Sequence, residues 1–286
     1  YLLALSEHRS FQKTRALSKK TLSSLKGLYV EFSATHFKQI KKIEKKTNHD
    51  VNAVVVFVSE ELKKLGRGDL VPFVHFGLTS EDINNISYSL MTQGAVEDVM
   101  IPSVKRVLKE LKDLSKKTKS LSLLSLTHGQ PATTTTLGKE LAVFISRVER
   151  EIALIKKMKL LAKLSGATGS YAAHKVAFPD FNWPLFSRRF IKKLGLEQSP
   201  ISTQIEPGDS LAELLHSFVR INNIFSDFSL DMWLYISRNI FVQKNIVGEV
   251  GSSTMPHKIN PIFFENAEGN LDIANNNFSF LASRII

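Results

Sequence analysis

Apolar residues recur at helical spacing over four long stretches of this chain. After Asp50, residues Val51, Val54, Val55, Val58, Leu62 and Leu65 follow the i, i+3, i+4, i+7 rule that lines one face of an α-helix. Val96, Val99, Met100, Val104, Val107, Leu111 and Leu114 do the same, with a kink expected at Pro102, which lacks an N–H and crowds the turn before it. A third run passes through Leu137, Leu141, Phe144, Val148, Ile152, Ile155, Met158 and Leu161. A fourth goes from Leu211 through Leu215, Phe218, Ile221 and Phe225 towards Trp233 and Ile240. Runs this long, without strand-like alternation, predict an all-α protein built on long packed helices.

Between the runs the chain turns polar and rich in Gly and Pro: HFGLTSED (75–82), THGQPATTTT (127–136), SGATGSYAAH (165–174), STQIEPGD (202–209) and VGEVGSSTMPHKINP (247–261). Function concentrates in such segments, which a helical scaffold holds in place. No fixed repeat and no low-complexity linker interrupts the pattern. A boundary near residue 77 is expected, dividing a small N-terminal helical region (1–77) from a central bundle of long helices (78–286).

Composition removes several function classes. The 286 residues are 43% hydrophobic with a mean hydropathy of -0.05, as in a folded globular protein. No apolar run approaches the roughly 20 residues of a membrane span, and YLLALSEHRS lacks the basic start of a secretory signal. Cysteine is absent, which excludes disulfides and thiolate metal sites and fits a reducing, cytoplasmic compartment. The net charge of +11 (38 Lys+Arg against 27 Asp+Glu) suits an anionic partner. The lysines are interleaved with apolar residues, as in KQIKKIEKK and LKELKDLSKK, and read as solvated helix faces. No nucleic-acid-binding module accompanies them, so a small anionic molecule is expected rather than nucleic acid or a membrane.

The polar breaks hold the candidate chemistry. Thr79-Ser80-Glu81-Asp82 has the capping-box form, with Thr79 as N-cap, and reads either as an ordinary cap or as a helix end that binds an anion. Thr47-Asn48-His49-Asp50 also precedes a helix; its Asp either raises the proton affinity of the neighbouring imidazole or caps the helix. In Thr127-His128-Gly129-Gln130-Pro131 a histidine sits in a turn beside a hydroxyl and an amide, where it is able to transfer a proton near neutral pH. The histidines lack metal-ligand spacing, so no metal is expected. Gly166-Ala167-Thr168-Gly169 lacks the Gly-Lys-[ST] ending and the preceding strand of a nucleotide loop. Gly251-Ser252-Ser253-Thr254-Met255-Pro256-His257-Lys258-Ile259-Asn260 reads as an anion-handling loop. Ser252 is a candidate base there, provided that N–H groups and a cation such as Lys258 stabilise its alkoxide.

This last stretch resembles the signature G-S-x-x-M-x-x-K-x-N of the fumarase/aspartase superfamily and matches it completely. HFGLTSEDINN, LTHGQPATTTTLGKE, STQIEP and EVGSSTMPHKINPIFFENAEGN together are similar to the adenylosuccinate lyase family within it, over nearly the whole chain. The resemblance implies a small helical N-terminal domain and a central long-helix domain that forms a twenty-helix core in a homotetramer, with active sites shared between subunits. It implies β-elimination of fumarate from adenylosuccinate, giving AMP, and from SAICAR, giving AICAR, without metal or organic cofactor. By the same resemblance Ser252 is the base and His128 the acid. Thr127, Gln130 and Gln204 contact substrate, Thr79 and Ser80 hold the succinyl group, and His49 and Asp50 lie near the phosphate and the acid. Lys258 and Asn260 bind carboxylate, Ser253 and Met255 complete the substrate loop, and Glu265 orients His128 or Lys258.

Two other readings stand beside this one: a different fumarate-releasing member of the superfamily (argininosuccinate lyase, fumarase or aspartase), or a catalytically silent scaffold on the same fold. The family also has a preceding segment with a phosphate-binding Arg-Tyr pair and a C-terminal domain, both outside these 286 residues. The chain is therefore expected to be a fragment that folds but turns over weakly by itself, an expectation checked by the rate of fumarate release from the purified 286 residues.

Overall fold

The computed structural model describes residues 1–8, 11, 17–244, 254–255 and 258–286. Of the expected site residues, Ser252 and Ser253 lie outside these, as do their neighbours Pro256 and His257.

In chain order the helices are α1 (Leu2–Ser6), α2 (Lys19–Val30), α3 (Ala34–Thr47), α4 (Asp50–Lys64) and α5 (Ser80–Ala95), with a 3-10 turn at Gly68–Phe73. A π turn at Val96–Met100 leads into α6 (Ile101–Lys117). Then come strands β1 (Ser122–Thr127) and β2 (Gln130–Thr136), helix α7 (Leu137–Ile155), strand β3 (Leu161–Ala162), helices α8 (Ala172–Ala177) and α9 (Trp183–Lys193), strand β4 (Glu197–Gln198), and the long helices α10 (Asp209–Ser237) and α11 (Ile262–Ile285). The fold is all-α, as expected, with two short two-stranded pairings. By their contacts the residues form two compact units: Tyr1–Thr92 with Leu160–Pro207, and Gln93–Lys159 with Gly208–Ile286.

The first unit has an aromatic core. Phe11, Phe181, Trp183 and Phe186 are buried, and His174 lies 4.5 Å from Trp183 and 6.0 Å from Phe76 between ring centroids. The indole N–H of Trp183 donates to the Phe178 carbonyl at 3.3 Å, so its burial leaves no polar atom unpaired. A smaller apolar cluster of Leu25, Leu62 and Leu70 joins α2 and α4 to the 3-10 turn. Residues 160–165 are largely buried around the short strand β3: Leu160, Ala162 and Leu164 are covered, and so are Lys163 and Ser165, while Leu161 is half-buried. Here the structure departs from the helical pattern, because α7 ends at Ile155 and Leu161 begins β3, paired in parallel with β4. A strand covered on both faces has no alternation to separate it from a helical run.

The second unit is a bundle of α6, α7, α10 and α11. On α7 the buried residues Leu137, Leu141, Phe144, Val148, Ile152 and Ile155 are those of the periodic run. Arg220 reaches Glu151 at 2.8 Å and Arg147 reaches Asp227 at 2.9 Å, linking α7 to α10. Asn275 donates to Asn223 at 2.8 Å between α11 and α10. Pro102 is absorbed by the π turn: with no N–H at 102 and its ring against the carbonyl four residues back, the preceding turn widens by one residue. The buried stripe that follows is Ile101, Leu108 and Leu111, while Val99, Val107 and Leu114 stay exposed.

The helical reading did not foresee the β1–β2 hairpin. Its threonines are β-branched and fit a pleated strand, and Thr127 pairs with Gln130 across a two-residue turn. Apolar side chains also remain exposed along the long helices, among them Val143 and Leu154 on α7, Leu230 and Trp233 on α10, and Phe263, Ile273 and Phe280 on α11. Among the described residues no helix is long and apolar enough to cross a membrane.

Burial lowers the proton affinity of His174 and His75 below the ordinary imidazole value of 6.5. The unfolded chain takes up these protons first, so the stability they contribute is complete above 6.5 and is lost as pH falls through the folded-state values. The urea midpoint is expected to be lower at about pH 5.5 than at about pH 7.5, and His174→Phe, which keeps a ring in the aromatic core, to narrow that gap.

Candidate active site

In the first unit the turn before α5 and the turn before α4 come together. His49 is the residue that caps α4, its Nδ1 accepting from the Asn52 N–H at 3.3 Å, while Asp50 stands in the first turn and accepts from Val51 at 2.7 Å. Of the two sequence readings of this pair the cap is realised, but by the imidazole rather than the carboxylate. This leaves Nε2 of His49 directed at the Ser80 hydroxyl, 3.2 Å away. Asn48, in the left-handed region with φ 51°, ends α3 and turns the chain into this corner. A surface groove of about 690 Å³ lies beside it, lined by Lys41, Glu44, Lys45, Asn48, His49 and Asp50.

Thr79 carries half of the expected capping box. Its N–H donates to Asp82 at 2.9 Å, and its hydroxyl accepts from the Gln204 amide at 3.5 Å. Asp82 does much more than cap. It is fully buried, accepts from the N–H groups of Ser165 (2.9 Å) and Gly166 (3.1 Å), and pairs with the equally buried Lys163 at 3.0 Å. Asn85, one turn further along α5, exchanges hydrogen bonds with the Lys163 backbone at 2.9 and 3.1 Å. Gly169 (φ 75°) packs so closely on the Ser202 backbone that a Cβ would lie 2.0 Å from its carbonyl oxygen. Of the two glycines of the GATG stretch, Gly169 thus serves close packing against the 202–204 loop, and Gly166 packs against the Gly77 carbonyl, 3.0 Å from where a Cβ would lie.

His75 and Glu81 also belong to this corner, and sequence reasoning did not single them out. Burial lowers the proton affinity of His75, against the opposing pull of Asp82, and burial raises that of Glu81. The signal was available, since both lie inside the quoted HFGLTSED break. Lys163 and Asn85 gave no signal, because a lysine in an apolar run reads as an exposed face.

In the second unit Thr127, His128 and Gln130 stand at the tip of the hairpin. His128 and Gly129 have φ 53° and 73°, the positive values that a two-residue hairpin turn of the I′ kind requires at both central positions. The turn therefore exposes the imidazole by backbone geometry. Arg238, just past the end of α10, donates to the Gly129 carbonyl at 3.3 Å and brings a cation to the turn that sequence reasoning missed. Lys258 donates its N–H to the Met255 carbonyl at 3.0 Å, and Asn260 is half-buried just ahead of α11. Glu265, in the first turn of α11, accepts from the Trp233 indole at 3.3 Å; among the described residues no hydrogen bond joins it to His128 or Lys258.

The structure thus brings His49, Asp50, Ser80, Thr79 and Gln204 together in one unit, and His128 with Thr127, Gln130 and Arg238 in the other. The first group offers hydroxyls, an amide and an imidazole to an anion. The second offers an exposed imidazole on a turn whose Gly129 carbonyl accepts from a guanidinium.

Residues 8–272 match the family described as lyase. The chain is 43% identical over 286 residues to adenylosuccinate lyase of Escherichia coli (strain K12), which covers 100% of this chain and 63% of that protein. It is 44% identical over 292 residues to adenylosuccinate lyase of Dictyostelium discoideum, again covering 63% of it. The chain therefore spans less than two thirds of the length of these curated relatives. Its fold is similar to that of a fumarate lyase from Mesorhizobium sp. BNC1, with a TM-score of 0.73 at 18% identity, covering 99% of this chain and 61% of that one.

Removing the buried carboxylate leaves an unpaired ammonium group away from water. Asp82→Ala is expected to cost about 3–5 kcal/mol in urea unfolding, whereas Glu7→Ala, which breaks the exposed pair with Lys193, stays within about 1 kcal/mol.

Proposed function

We propose, from the premise that this chain belongs to the lyase family, that its reaction is the one named by its relatives: elimination of fumarate from adenylosuccinate, with the related step on SAICAR. The observation that carries this reading is 43% identity in a match that spans the whole chain rather than the signature loop alone.

The chemistry follows from the groups available. A base takes the proton from the succinyl carbon next to a carboxylate, and the carbanion spreads its charge into that carboxylate. An acid then protonates the departing nitrogen and fumarate leaves. Ser252 is the base and His128 the acid in this reading. The exposed turn that carries His128 and the nearby Arg238 support the second assignment. Thr79, Ser80 and Gln204 receive a succinyl carboxylate, and their convergence supports that role. His49 and Asp50 border the groove with Lys45, whose charge suits a phosphate, and with Lys41, which is paired with Glu44 at 2.6 Å. Thr127, Gln130, Ser253, Met255, Lys258 and Asn260 complete the binding set, and Glu265 orients His128 or Lys258. No metal or organic cofactor is required.

The same reading makes the protein a homotetramer in the cytoplasm, in which long helices of several subunits share one core. The apolar residues exposed on α7, α10 and α11 support this, because helices that are apolar on more than one face are normally buried.

Assayed at full natural length, the protein is expected to release fumarate from adenylosuccinate and not from argininosuccinate, malate or aspartate. Ser252→Ala and His128→Ala are each expected to lower kcat by about 10²–10⁴-fold with the tetramer intact by light scattering. Fumarate release from one of the other substrates instead overturns the proposal.

A further inference from the structure

The ammonium group of Lys163 is fully buried, and each of its three N–H donors has an acceptor: Asp82 at 3.0 Å, the Gly166 carbonyl at 2.9 Å and the Gln204 carbonyl at 2.6 Å. Its partner Asp82 accepts from the Thr79 N–H at 2.9 Å. One end of this ion pair therefore holds the backbone of Thr79, and the other holds the backbone of Gln204. The side chains of those two residues meet at 3.5 Å, on the outside of the pair. Gln204 lies between β4 and α10, in a stretch with no helix or strand of its own. Its remaining ties are close by: the Ser165 and Ser202 hydroxyls are 3.1 Å apart, and Gly169 packs on Ser202.

We propose that Lys163 is a positioning residue for substrate binding: with Asp82 it sets the spacing between the Thr79 hydroxyl and the Gln204 amide, so that both meet the same carboxylate of a succinyl-bearing substrate. The inference rests on the fumarate-releasing reading above. An apolar side chain of equal volume would fill the space of Lys163, but it has no donor to hold the Gln204 carbonyl. The substrate carboxylate then meets two groups whose separation is no longer fixed. Such a loss weakens binding of substrate and transition state alike, so it raises KM more than it lowers kcat.

The test uses the full-length enzyme and the paired variant Asp82→Asn/Lys163→Met, which removes both buried charges together and so avoids leaving one unpaired. With folding verified by circular dichroism and the oligomer by light scattering, KM for adenylosuccinate is expected to rise about tenfold or more while kcat falls less than about threefold. Adding Gln204→Ala to the paired variant is expected to raise KM less than about twofold further, although Gln204→Ala alone raises it strongly, because the two changes break one link. KM within about twofold of wild type, or effects of the pair and of Gln204→Ala that simply multiply, overturns the inference. Lys163→Gln serves as a second variant, since a side chain one atom shorter, with two N–H donors instead of three, does not keep all three contacts of the ammonium group. Hydrogen exchange on the unmutated enzyme gives an independent readout. Saturating fumarate is expected to slow exchange at 79–82, 163–166 and 203–206 together. Protection at 79–82 without any at 163–166 counts against Lys163. An unmutated enzyme that releases no fumarate from adenylosuccinate overturns the functional reading itself. An active enzyme with an unchanged KM in the variants overturns this inference alone.

Discussion

The first compact unit depends on a carboxylate and an ammonium group that are both shut away from water. Desolvating either ion costs several kcal/mol, and their attraction repays it only when the remaining hydrogen-bonding capacity is also used. Here it is used fully on the cation: Lys163 has three acceptors for three donors, and Asp82 gathers the N–H groups of Thr79, Ser165 and Gly166. These contacts reach the start of α5, the largely buried stretch around β3 and the 202–204 loop. A pair this demanding forms only when all three segments have arrived, so the stretch 160–207 and the first 92 residues make one compact unit although a long piece of chain separates them.

Much of the helical framework was legible because it follows from a single periodicity. The buried face of α7 reproduces its run residue by residue up to Ile155, and the polar breaks hold nearly every candidate site residue. What stayed hidden came from contacts distant in sequence or from local backbone geometry. Lys163 reads as a surface lysine until Asp82 is placed beside it. The β1–β2 hairpin lay inside a break whose polarity described a loop equally well. His49 displaced the expected cap of α4, because an imidazole nitrogen reached the Asn52 N–H. Residues 160–165 have no amphipathic signal, since both sides of the strand are covered. The reading of Ser252 rests on resemblance and composition alone.

The two candidate groups are held in different ways. Around Thr79 and Gln204 the backbone is held by hydrogen bonds to the buried Asp82 and Lys163. His128 instead owes its exposure to a turn with two positive φ values, and few side chains surround it. The first group rests on buried contacts to the backbone and the second on the geometry of a two-residue turn, so different secondary structure carries each.

The π turn ahead of Pro102 sets the rotational phase of the helix that follows it. A turn that takes up one extra residue holds everything after it about 100° back from where an unbroken α-helix would put it. The stripe of Ile101, Leu108 and Leu111 faces the bundle only with that rotation in place. Closing that turn to the ordinary α pitch without removing a residue would swing the exposed Val107 and Leu114 inward and the buried residues out. The width of the turn thus decides which face of α6 the bundle receives.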